Sequence, residues 1–413
     1  MFLEPNDGYA LNSLLNSLKN DNPFYKRLLN NVCTFNDIEL IEKQDLIRSQ
    51  NDFPPFGDYT SSFEIDQIYR TSGTTNIPLL VTLSRNDVER ITNIGKECFQ
   101  HSHMGEIGKD EIVINCMNLS LWAGGFLDSQ AINKTGVTVL NFGVGNTTEL
   151  IKLITHLSKK YKVSIHSTPS YLPILEKRYF EITGTSPSNL NMHAFYLGGE
   201  SGLENQNFRK KLMNVWGCNI YNANYGMSEV CSIMASASDD NRLMFAKSFI
   251  DNFYLELYSE KKYVSVVNAT EELEGELIIS SRFNESQPLL RYNTKERLKI
   301  SGNDSGDIYF KISGRSDDMI IVKGINLFPE QIRCILVNYK EVTGFFKILV
   351  QKRDVIEKID IVCSVKPDQN VDKISLAQKI SNHIRDELTV KADIFFSEEI
   401  GLGNNKTKVV EFY

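Results

Sequence analysis

A run of small and hydroxylated residues could form a phosphate-binding loop. Tyr69 and Arg70 are followed by Thr-Ser-Gly-Thr-Thr at positions 71–75. Such a run favours neither a helix nor a strand, and its backbone N–H groups and hydroxyls can surround an anion. The segment lacks the GxxxxGK[ST] pattern, so it is not the loop of Walker-type nucleotidases. On its own, an ordinary polar turn explains these residues equally well.

A carboxylate follows a strand-like segment in the middle of the chain. Residues 222–229 read NANYGMSE and come directly after an apolar run. Ligands of α/β proteins bind at the carboxyl ends of strands. A glutamate there, Glu229, could hold a Mg²⁺ ion that bridges phosphate oxygens. Taken alone, Glu229 could also be a helix cap or a solvated charge.

Three further segments combine charges with turn residues. They are PLLRYNTKE at 288–296, SGRSDDMIIVKG at 313–324 and GLGNNKTKV at 401–409. Each of them, in isolation, fits a charged surface turn. Their meaning therefore depends on the elements that would position them.

The pattern of apolar residues changes three times along the chain. Residues 1–65 are polar and helical in pattern, and from about residue 110 short β-rich runs alternate with helical stretches. This alternation predicts a mostly parallel α/β sheet. Short alternating strands at about 244–312 predict an antiparallel, barrel-like layer. The last hundred residues predict a small α+β domain.

The predicted fold class is α/β with two domains. A large N-terminal domain spans residues 1–314, and a small mobile α+β domain spans 315–413. Within the latter, a helix should bury a stripe with steps of three and four residues. That stripe comprises Ile374, Ala377, Ile380, Ile384 and Leu388.

Composition excludes several classes of protein. The 413 residues include 45 Lys+Arg and 52 Asp+Glu, for a net charge of −7. No basic excess exists to neutralise nucleic acid, and no apolar segment is long enough to predict a membrane helix. The seven cysteines are scattered without a CxxC pair. With no recognisable signal peptide, we expect a cytoplasmic protein.

In order and spacing, these segments resemble the motifs of the adenylate-forming superfamily, in its phenylacetate–CoA ligase-like branch. The similarity covers nearly the whole chain, and the domain junction is its most specific piece. The similar segments are TSGTT (71–75), HSTPSY (166–171), LGGES (197–201), YGMSE (225–229), QPLLRYNTKE (287–296) and ISGRSDDMIIVKGINLFPEQI (312–332).

The resemblance implies a two-step reaction. A carboxylic acid would attack the α-phosphate of ATP to give an acyl-adenylate and pyrophosphate. A thiol, from CoA or a phosphopantetheine group, would then take the acyl group after the C-terminal domain has rotated. The implied partners are ATP, Mg²⁺, a small carboxylic acid and the thiol, in a monomer or homodimer.

The resemblance also implies roles for individual residues. Lys406, Glu229 and Thr74 would be catalytic, Glu229 would hold the metal, and Asp317 would be the hinge. The residues implied in nucleotide binding are Thr71, Ser72, Gly73, Thr75, Gly199, Glu200, Tyr225, Gly226, Ser228, Glu296 and Arg315.

Some positions depart from the pattern of the branch. Ile77 stands where the phosphate loop usually has a lysine, and Glu296 stands where a ribose-binding aspartate is usual. Asn405 precedes Lys406 in place of a glycine. These departures favour weaker ATP binding and leave open a slow or inactive member.

The acid pocket should be formed by residues 118–125, NLSLWAGG, and by residues around the YGMSE motif. The predicted pocket residues are Leu119, Trp122, Gly124, Asn224 and Cys231. Trp122 could instead be a core residue. The bulkier, more polar lining predicts an aryl or small polar acid. The absence of an acidic residue from 118–125 disfavours an α-amino acid.

Two alternatives remain to an acyl-CoA synthetase. One is an adenylation enzyme that loads an acyl or peptidyl carrier protein, or an amine. The other is a nucleotide-binding homologue without activity, which Ile77 favours and the presence of Lys406 and Glu229 disfavours.

Overall fold

The computed structural model describes most of the chain. The described residues are 8–71, 78–120, 122–200, 202–268, 272–302, 306–323, 325–351, 356–365, 372–397 and 409–413. Five predicted site residues lie outside these ranges, namely Ser72, Gly73, Thr74, Thr75 and Lys406.

Helices and strands alternate through most of the described residues. The helices are α1 (Gly8–Asp21), α2 (Pro23–Leu28), α3 (Lys43–Asp52), α4 (Arg85–His101), α5 (Ala123–Lys134), α6 (Thr147–Leu157), α7 (Tyr171–Thr183), α8 (Gln206–Trp216), α9 (Lys247–Asn252), α10 (Pro329–Leu336) and α11 (Lys373–Leu388). The strands are β1 (Gln67–Arg70), β2 (Leu80–Leu83), β3 (Glu111–Asn115), β4 (Thr138–Asn141), β5 (Lys162–Ser167), β6 (Ala194–Gly198), β7 (Asn219–Met227), β8 (Ser232–Ala237), β9 (Leu243–Phe245), β10 (Phe253–Ser259), β11 (Lys262–Ser265), β12 (Leu273–Ser281), β13 (Tyr292–Gly302), β14 (Ile308–Arg315), β15 (Ile320–Val322), β16 (Ile325–Leu327), β17 (Val342–Val350), β18 (Ile359–Val365), β19 (Ala392–Ser397) and β20 (Val410–Phe412). None of the helices in the described part of the chain is long and apolar enough to cross a membrane.

The first of two compact units comprises Met1–Gly143 and Tyr221–Lys311. Strands β3 and β4 are parallel, with Ile112 opposite Thr138. Strand β10 pairs antiparallel with β11 and β12, and β12 pairs antiparallel with β13. Strands β7, β8 and β9 are also antiparallel neighbours, and β9 pairs with β14. The predicted mixture of parallel and antiparallel strands is therefore confirmed.

The barrel-like detail of the prediction is not confirmed. Strand β11 has β10 as its one neighbour among the described strands, so the antiparallel layer has an open edge there. Strand β13, which begins at Tyr292, was not predicted as a strand, because its sequence was interpreted only as a ligand-binding segment. Pairing with β12 holds this segment extended despite its charged residues.

The second unit comprises Val144–Ile220 and Ile312–Tyr413. Strands β5 and β6 form a parallel pair in which Ile165 lies opposite Phe195. A four-stranded sheet of order β19-β18-β17-β20 packs with α10 and α11 around one apolar core. The predicted α+β character of the last hundred residues is thus confirmed.

The buried stripe of α11 differs from the predicted one. Leu376, Ile380 and Ile384 are buried, whereas Ile374 is 83% exposed. Ile374 lies in the first turn, where the Asp372 side chain accepts a hydrogen bond from its backbone N–H. Steps of four residues from Leu376 to Ile384 keep the buried side chains on one face, and Ile374 lies outside that series.

Helix α8 contacts residues of the C-terminal segment inside this second unit. Lys211 Nζ donates to the carbonyls of Tyr339 and Val342 at 3.1 and 2.7 Å. The rings of Phe208 and Phe345 meet edge to face, with centroids 6.2 Å apart. The compact grouping therefore joins segments that the predicted division at 314/315 separates. That division, and the rotation across it, stay predictions.

A buried ion pair ties the N-terminal segment of the first unit to its antiparallel strands. Arg291 is 1% exposed and bonds both carboxylate oxygens of Glu256 at 3.2 and 3.3 Å. Its Nη1 also donates to the carbonyls of Asn36 and Ile38, each at 2.9 Å. Burial raises the pKa of Glu256 to about 6, and the Arg291 charge opposes that rise.

We expect Arg291→Met to destabilise the first unit by about 3–5 kcal/mol at pH 7.5, because it leaves a buried carboxylate without its cation. The loss should be smaller at pH 5. The folded-state pKa of Glu256 lies above its unfolded value, so protonation between these values favours the folded protein. Urea titrations in a Trp216→Phe background measure the free energy of unfolding, because the fluorescence of Trp122 then reports on the first unit.

The double variant Arg291→Met/Glu256→Gln is the control. Because it removes the charge together with its partner, it should recover part of the loss. An equal loss in both variants, at both pH values, would assign the effect to packing alone.

Candidate active site

A hairpin flanks the predicted phosphate loop. Strands β1 and β2 pair antiparallel with Arg70 opposite Leu80, and Thr71 N donates to Leu79 O at 2.9 Å. Thr71 is 1% exposed. Its hydroxyl and the Nε of Arg70 are both buried, and neither has a hydrogen-bond partner among the described residues. Buried polar atoms are normally satisfied, so these two donors beside the predicted loop are available to a polar ligand.

Trp122 lies against Arg70 rather than in the apolar core. The guanidinium carbon of Arg70 is 4.6 Å from the centre of the Trp122 ring. Trp122 occupies the N-cap position of α5 and is half-buried. The alternative of a core tryptophan is therefore disfavoured, and a cation–π contact links this residue to the entrance of the phosphate loop.

Crowding fixes the loop between β3 and α5. A Cβ at Gly125 would lie 2.2 Å from Asn118 O, so only glycine fits there. A Cβ at Gly124 would meet Asp128 Oδ2 at 3.6 Å and Met117 Cε at 3.8 Å. Gly124 therefore leaves open the space beside the Asp128 carboxylate. Leu119 is half-buried, with its Cδ1 at 3.4 Å from the position of a Cβ on Gly143.

Strand β7 carries three predicted site residues, Asn224, Tyr225 and Gly226, into a tight turn. A Cβ at Gly226 would lie 2.3 Å from Ser232 O, and a bulge separates it from Tyr225. The Tyr225 ring lies 5.2 Å from that of Phe310. Ser228 O accepts the backbone N–H of Cys231 at 3.2 Å. This close packing fixes the backbone position of Glu229 at the end of β7.

Cys231 is part of an apolar cluster. It is buried together with Tyr69, Val88, Ala123 and Leu127. Burial is the main cause that raises the pKa of its thiol, with the charges of Glu229 and Asp87 adding to it. Cys231 is therefore protonated at neutral pH and contributes to the cluster through packing. Whether it borders the acid pocket stays a prediction.

Asn224 holds a buried carboxylate that the sequence did not predict. Its Nδ2 donates to Asp128 Oδ2 at 2.7 Å, and both side chains are buried. Asp128 lies one helical turn after Gly124 on α5, beyond the 118–125 window in which an acidic residue was sought. Its spacing could have revealed it: Asp128 lies four residues after Gly124 and three before Ala131, so it shares one helix face with these small residues. A charge on that face is a charge on a buried face.

Glu229 forms an ion pair at the carboxyl end of β7. Its Oε1 is 2.8 Å from the Nζ of Lys43, which lies in the first turn of α3. The two side chains are 12% and 29% exposed, so the pair is shielded from bulk water. The ribose-binding candidate Glu296 lies on β13, where its N–H donates to Thr294 Oγ1 at 3.1 Å.

The second unit contains the other four predicted residues. Gly199 has a φ of +76°, which favours glycine, in the turn after β6. The Glu200 carboxylate accepts Ser170 N and Oγ at 3.0 and 2.8 Å. Arg315 donates from Nε and Nη2 to the two oxygens of Asp317, both at 2.9 Å. The roles of all four in ligand binding or as a hinge stay predictions.

Comparison with known proteins gives consistent matches. Residues 324–412 match the family model of the AMP-binding enzyme C-terminal domain. Phenylacetate-coenzyme A ligase of Escherichia coli K12 is 23% identical over 359 residues, covering 85% of this chain and 78% of the relative. The phenylacetate-coenzyme A ligase of Aromatoleum evansii is 25% identical over 373 residues, covering 86% and 81%. The chain is thus similar to the adenylate-forming enzymes, in their phenylacetate–CoA ligase-like branch.

A solved structure agrees with this assignment at the level of the fold. The crystal structure of 2-hydroxyisobutyryl-CoA ligase with 2-HIB-AMP, in the postadenylation state, matches with a TM-score of 0.83 at 19% identity. The match covers 98% of this chain and 88% of the other. Together with the phenylacetate-coenzyme A ligase relatives, this match supports an acid–thiol ligase.

The ligase offers one carboxylate to a nucleotide-bound metal. No group of three or more His, Cys, Asp or Glu residues in the described ranges could hold a metal ion by itself. Mg²⁺ commonly binds through one or two carboxylates together with substrate phosphates and water. Glu229 fits that donor set, provided that its oxygen exchanges Lys43 for the metal.

In this ligase we expect Trp122→Ala to have two separable effects. Acid preference should change, because a large ring is removed from the predicted pocket. The KM for ATP should also rise about fivefold, since a cation–π contact of ~1 kcal/mol no longer orients Arg70. Steady-state kinetics with an acid panel and varied ATP measure both.

Trp122→Phe is the matched variant for this test. It retains an aromatic face under Arg70, so the KM for ATP should stay near that of the unchanged enzyme while acid preference still shifts. An unchanged acid preference with a lowered melting temperature would show that Trp122 serves packing only.

Proposed function

We propose that the ligase activates an aryl or small polar carboxylic acid as its adenylate and transfers the acyl group to CoA. The observation that carries the proposal is the pair of buried donors, Arg70 Nε and Thr71 Oγ1, beside the TSGTT loop. The seven free cysteines support a reducing compartment such as the cytoplasm.

The chemistry is a displacement at the α-phosphorus. A carboxylate oxygen forms a bond to that phosphorus as the bond to pyrophosphate breaks. Negative charge crowds at the phosphate oxygens, so fixed cations and N–H donors lower the barrier. Arg70, held against Trp122, and the Thr71 hydroxyl would supply such donors without reorganising.

The remaining residues would bind the nucleotide. Glu229 would hold a Mg²⁺ ion, which when bound neutralises charge on phosphate oxygens. Until then Lys43 balances the Glu229 carboxylate, which would otherwise be a half-buried unpaired charge. Glu296 would accept hydrogen bonds from the ribose hydroxyls. Gly226 would let the base approach the backbone closely, since no Cβ projects there.

Product analysis is the direct test of the reaction type. With ATP, Mg²⁺ and a suitable acid, we expect AMP and pyrophosphate, and acyl-CoA when CoA is added. Formation of ADP and phosphate would indicate an acyl-phosphate route and remove the adenylate proposal. Acyl transfer to a phosphopantetheinylated carrier protein, but not to CoA, would favour the carrier-loading alternative.

The two half-reactions should respond differently to Lys406→Ala. A cation is needed where the carboxylate attacks the phosphate, so adenylate formation should slow by about 10²–10³-fold, the scale of one preorganised electrostatic group. Transfer from a chemically supplied acyl-adenylate should be nearly unchanged. Pyrophosphate exchange and thioester formation measure the two steps.

Lys408→Ala is the control for this prediction, because it lies two residues further along the same segment. A defect in Lys408→Ala alone would move the role to Lys408. Asp317→Pro should show the opposite pattern, with adenylation retained and transfer lost, because proline restricts the proposed hinge.

A further inference from the structure

The outer edge of β2 is bonded by side chains instead of by a third strand. Strands β1 and β2 form a sheet of two strands. Thr71 N donates to Leu79 O, so the backbone polar groups of Leu79 face β1. Because successive residues of a strand direct these groups to opposite edges, those of Pro78 and Leu80 face away from β1. Shielded backbone groups on that edge need other hydrogen-bond partners.

Gln50 supplies two of those partners. Its Nε2 donates to Pro78 O at 3.1 Å, and its Oε1 accepts the N–H of Leu80 at 2.7 Å. A carboxamide offers both donors and an acceptor, so this side chain takes the place of a neighbouring peptide group. Gln287 acts in the same way further along the edge, where its Oε1 accepts the N–H of Thr82 at 2.9 Å. Of the two glutamines, Gln50 holds the residues next to the predicted phosphate loop.

The contact between Gln50 and β2 is shielded from water. Gln50 is 3% exposed, and Leu79, which lies between its two backbone partners, is 1% exposed. Gln50 follows Lys43 by seven residues, which is about two turns and places both on one side of α3. Lys43 forms the ion pair with Glu229. One side of α3 therefore contacts both the carboxylate proposed to hold the metal and the hairpin that flanks the phosphate loop.

Residues 78–80 in turn fix two buried donors on β1 and directly after it. Leu80 lies opposite Arg70 in the register of the hairpin, and Leu79 O accepts the N–H of Thr71 at 2.9 Å. The Nε of Arg70 and the hydroxyl of Thr71 are buried without a hydrogen-bond partner among the described residues. A shift of β2 would therefore displace both donors together.

We propose that Gln50 is a positioning residue for nucleotide binding, because it holds β2 so that Arg70 and Thr71 face the phosphates of ATP. This inference rests on the proposed function, in which these two donors bind phosphate oxygens. Without the Gln50 amide, the two backbone groups that it bonds would lose their partners, and β2 would have to shift to find others. A misplacement of about 1 Å can cost about 10²-fold where donors must meet a reacting group.

Equilibrium titration of the full chain with two ligands tests the proposal. MgATP carries the phosphates, whereas adenosine has only the base and the ribose. Gln50→Met keeps a similar side-chain volume but removes both hydrogen bonds, so the Kd for MgATP should rise by about 10–100-fold while that for adenosine stays within about twofold. In steady-state kinetics, the KM for ATP should rise and the KM for the acid should not. A ratio of the two Kd values equal to that of the unchanged enzyme would overturn the proposal.

Ser49→Ala is the matched control. Ser49 is the neighbouring residue on α3 and is also buried, and its hydroxyl donates to Asp58 Oδ1 at 2.8 Å and accepts the Asp58 N–H at 3.0 Å. This variant loses two hydrogen bonds of the same helix, neither of which involves β2. Its melting temperature should fall, and the ratio of the two Kd values should stay the same. A changed ratio in Ser49→Ala would show that any loosening of α3 has this effect, which would overturn the specific role of Gln50.

Gln50→Glu is the second variant, in case Gln50→Met does not fold. It has the same length and still accepts the N–H of Leu80, but its carboxylate has no donor for Pro78 O. The Kd for MgATP should again rise more than the Kd for adenosine. An unchanged ratio in this variant would count against the proposal in the same way.

Pyrophosphate exchange separates failure of this inference from failure of the proposed function. MgATP binding that Gln50→Met weakens selectively, without exchange for any acid, would support the positioning role and reject the ligase activity. Exchange with the same KM for ATP in both proteins would retain the activity and overturn the role of Gln50. An unchanged protein that does not bind MgATP would overturn both.

Discussion

The buried guanidinium of Arg291 anchors the first unit. It joins the backbone carbonyls of residues 35–38 to Glu256 on β10, and it immediately precedes β13, which carries Glu296. Without it, five polar interactions would be lost in a region that excludes water. Asp87 acts similarly on residues 285 and 286, a few residues before Arg291, because it links them to the start of α4. The segment that precedes β13 is thereby fixed at two points.

Charged side chains with a fixed partner recur where the ligase is proposed to meet its substrates. Lys43 faces Glu229, Arg70 covers Trp122, and Asn224 holds Asp128. Such groups cost free energy to desolvate, and their partners repay only part of that cost. These groups have fixed positions before the substrate binds. Electrostatic stabilisation of a crowded phosphate requires such preorganised groups. The two buried donors beside the phosphate loop follow the same logic.

Most of the predicted fold and site depended on the order of the motifs along the chain. The YGMSE segment predicted that Glu229 follows a strand, and the structure places it in the turn that directly follows β7. The alternation of apolar strands with helices predicted a mostly parallel sheet, and the pairs β3–β4 and β5–β6 are indeed parallel. The same method missed β13, because its charged residues conceal the alternation, and it assigned Ile374 to the buried face of α11. A local sequence pattern predicts structure correctly where buried positions repeat regularly. It fails where pairing with one strand, or one helix cap, determines which residues are buried or extended.

The sequence by itself indicated the family resemblance and the order of the elements, because these depend on residue type and spacing. The tertiary structure decided which side chains meet. Lys43 and Glu229 are 186 residues apart, and Asp128 and Asn224 are 96 apart. No local pattern encodes such pairs, since each forms only when separate helices and strands have packed. The contact between Asp128 and Asn224 could be recognised only for this reason, although the position of Asp128 on α5 was readable from the start.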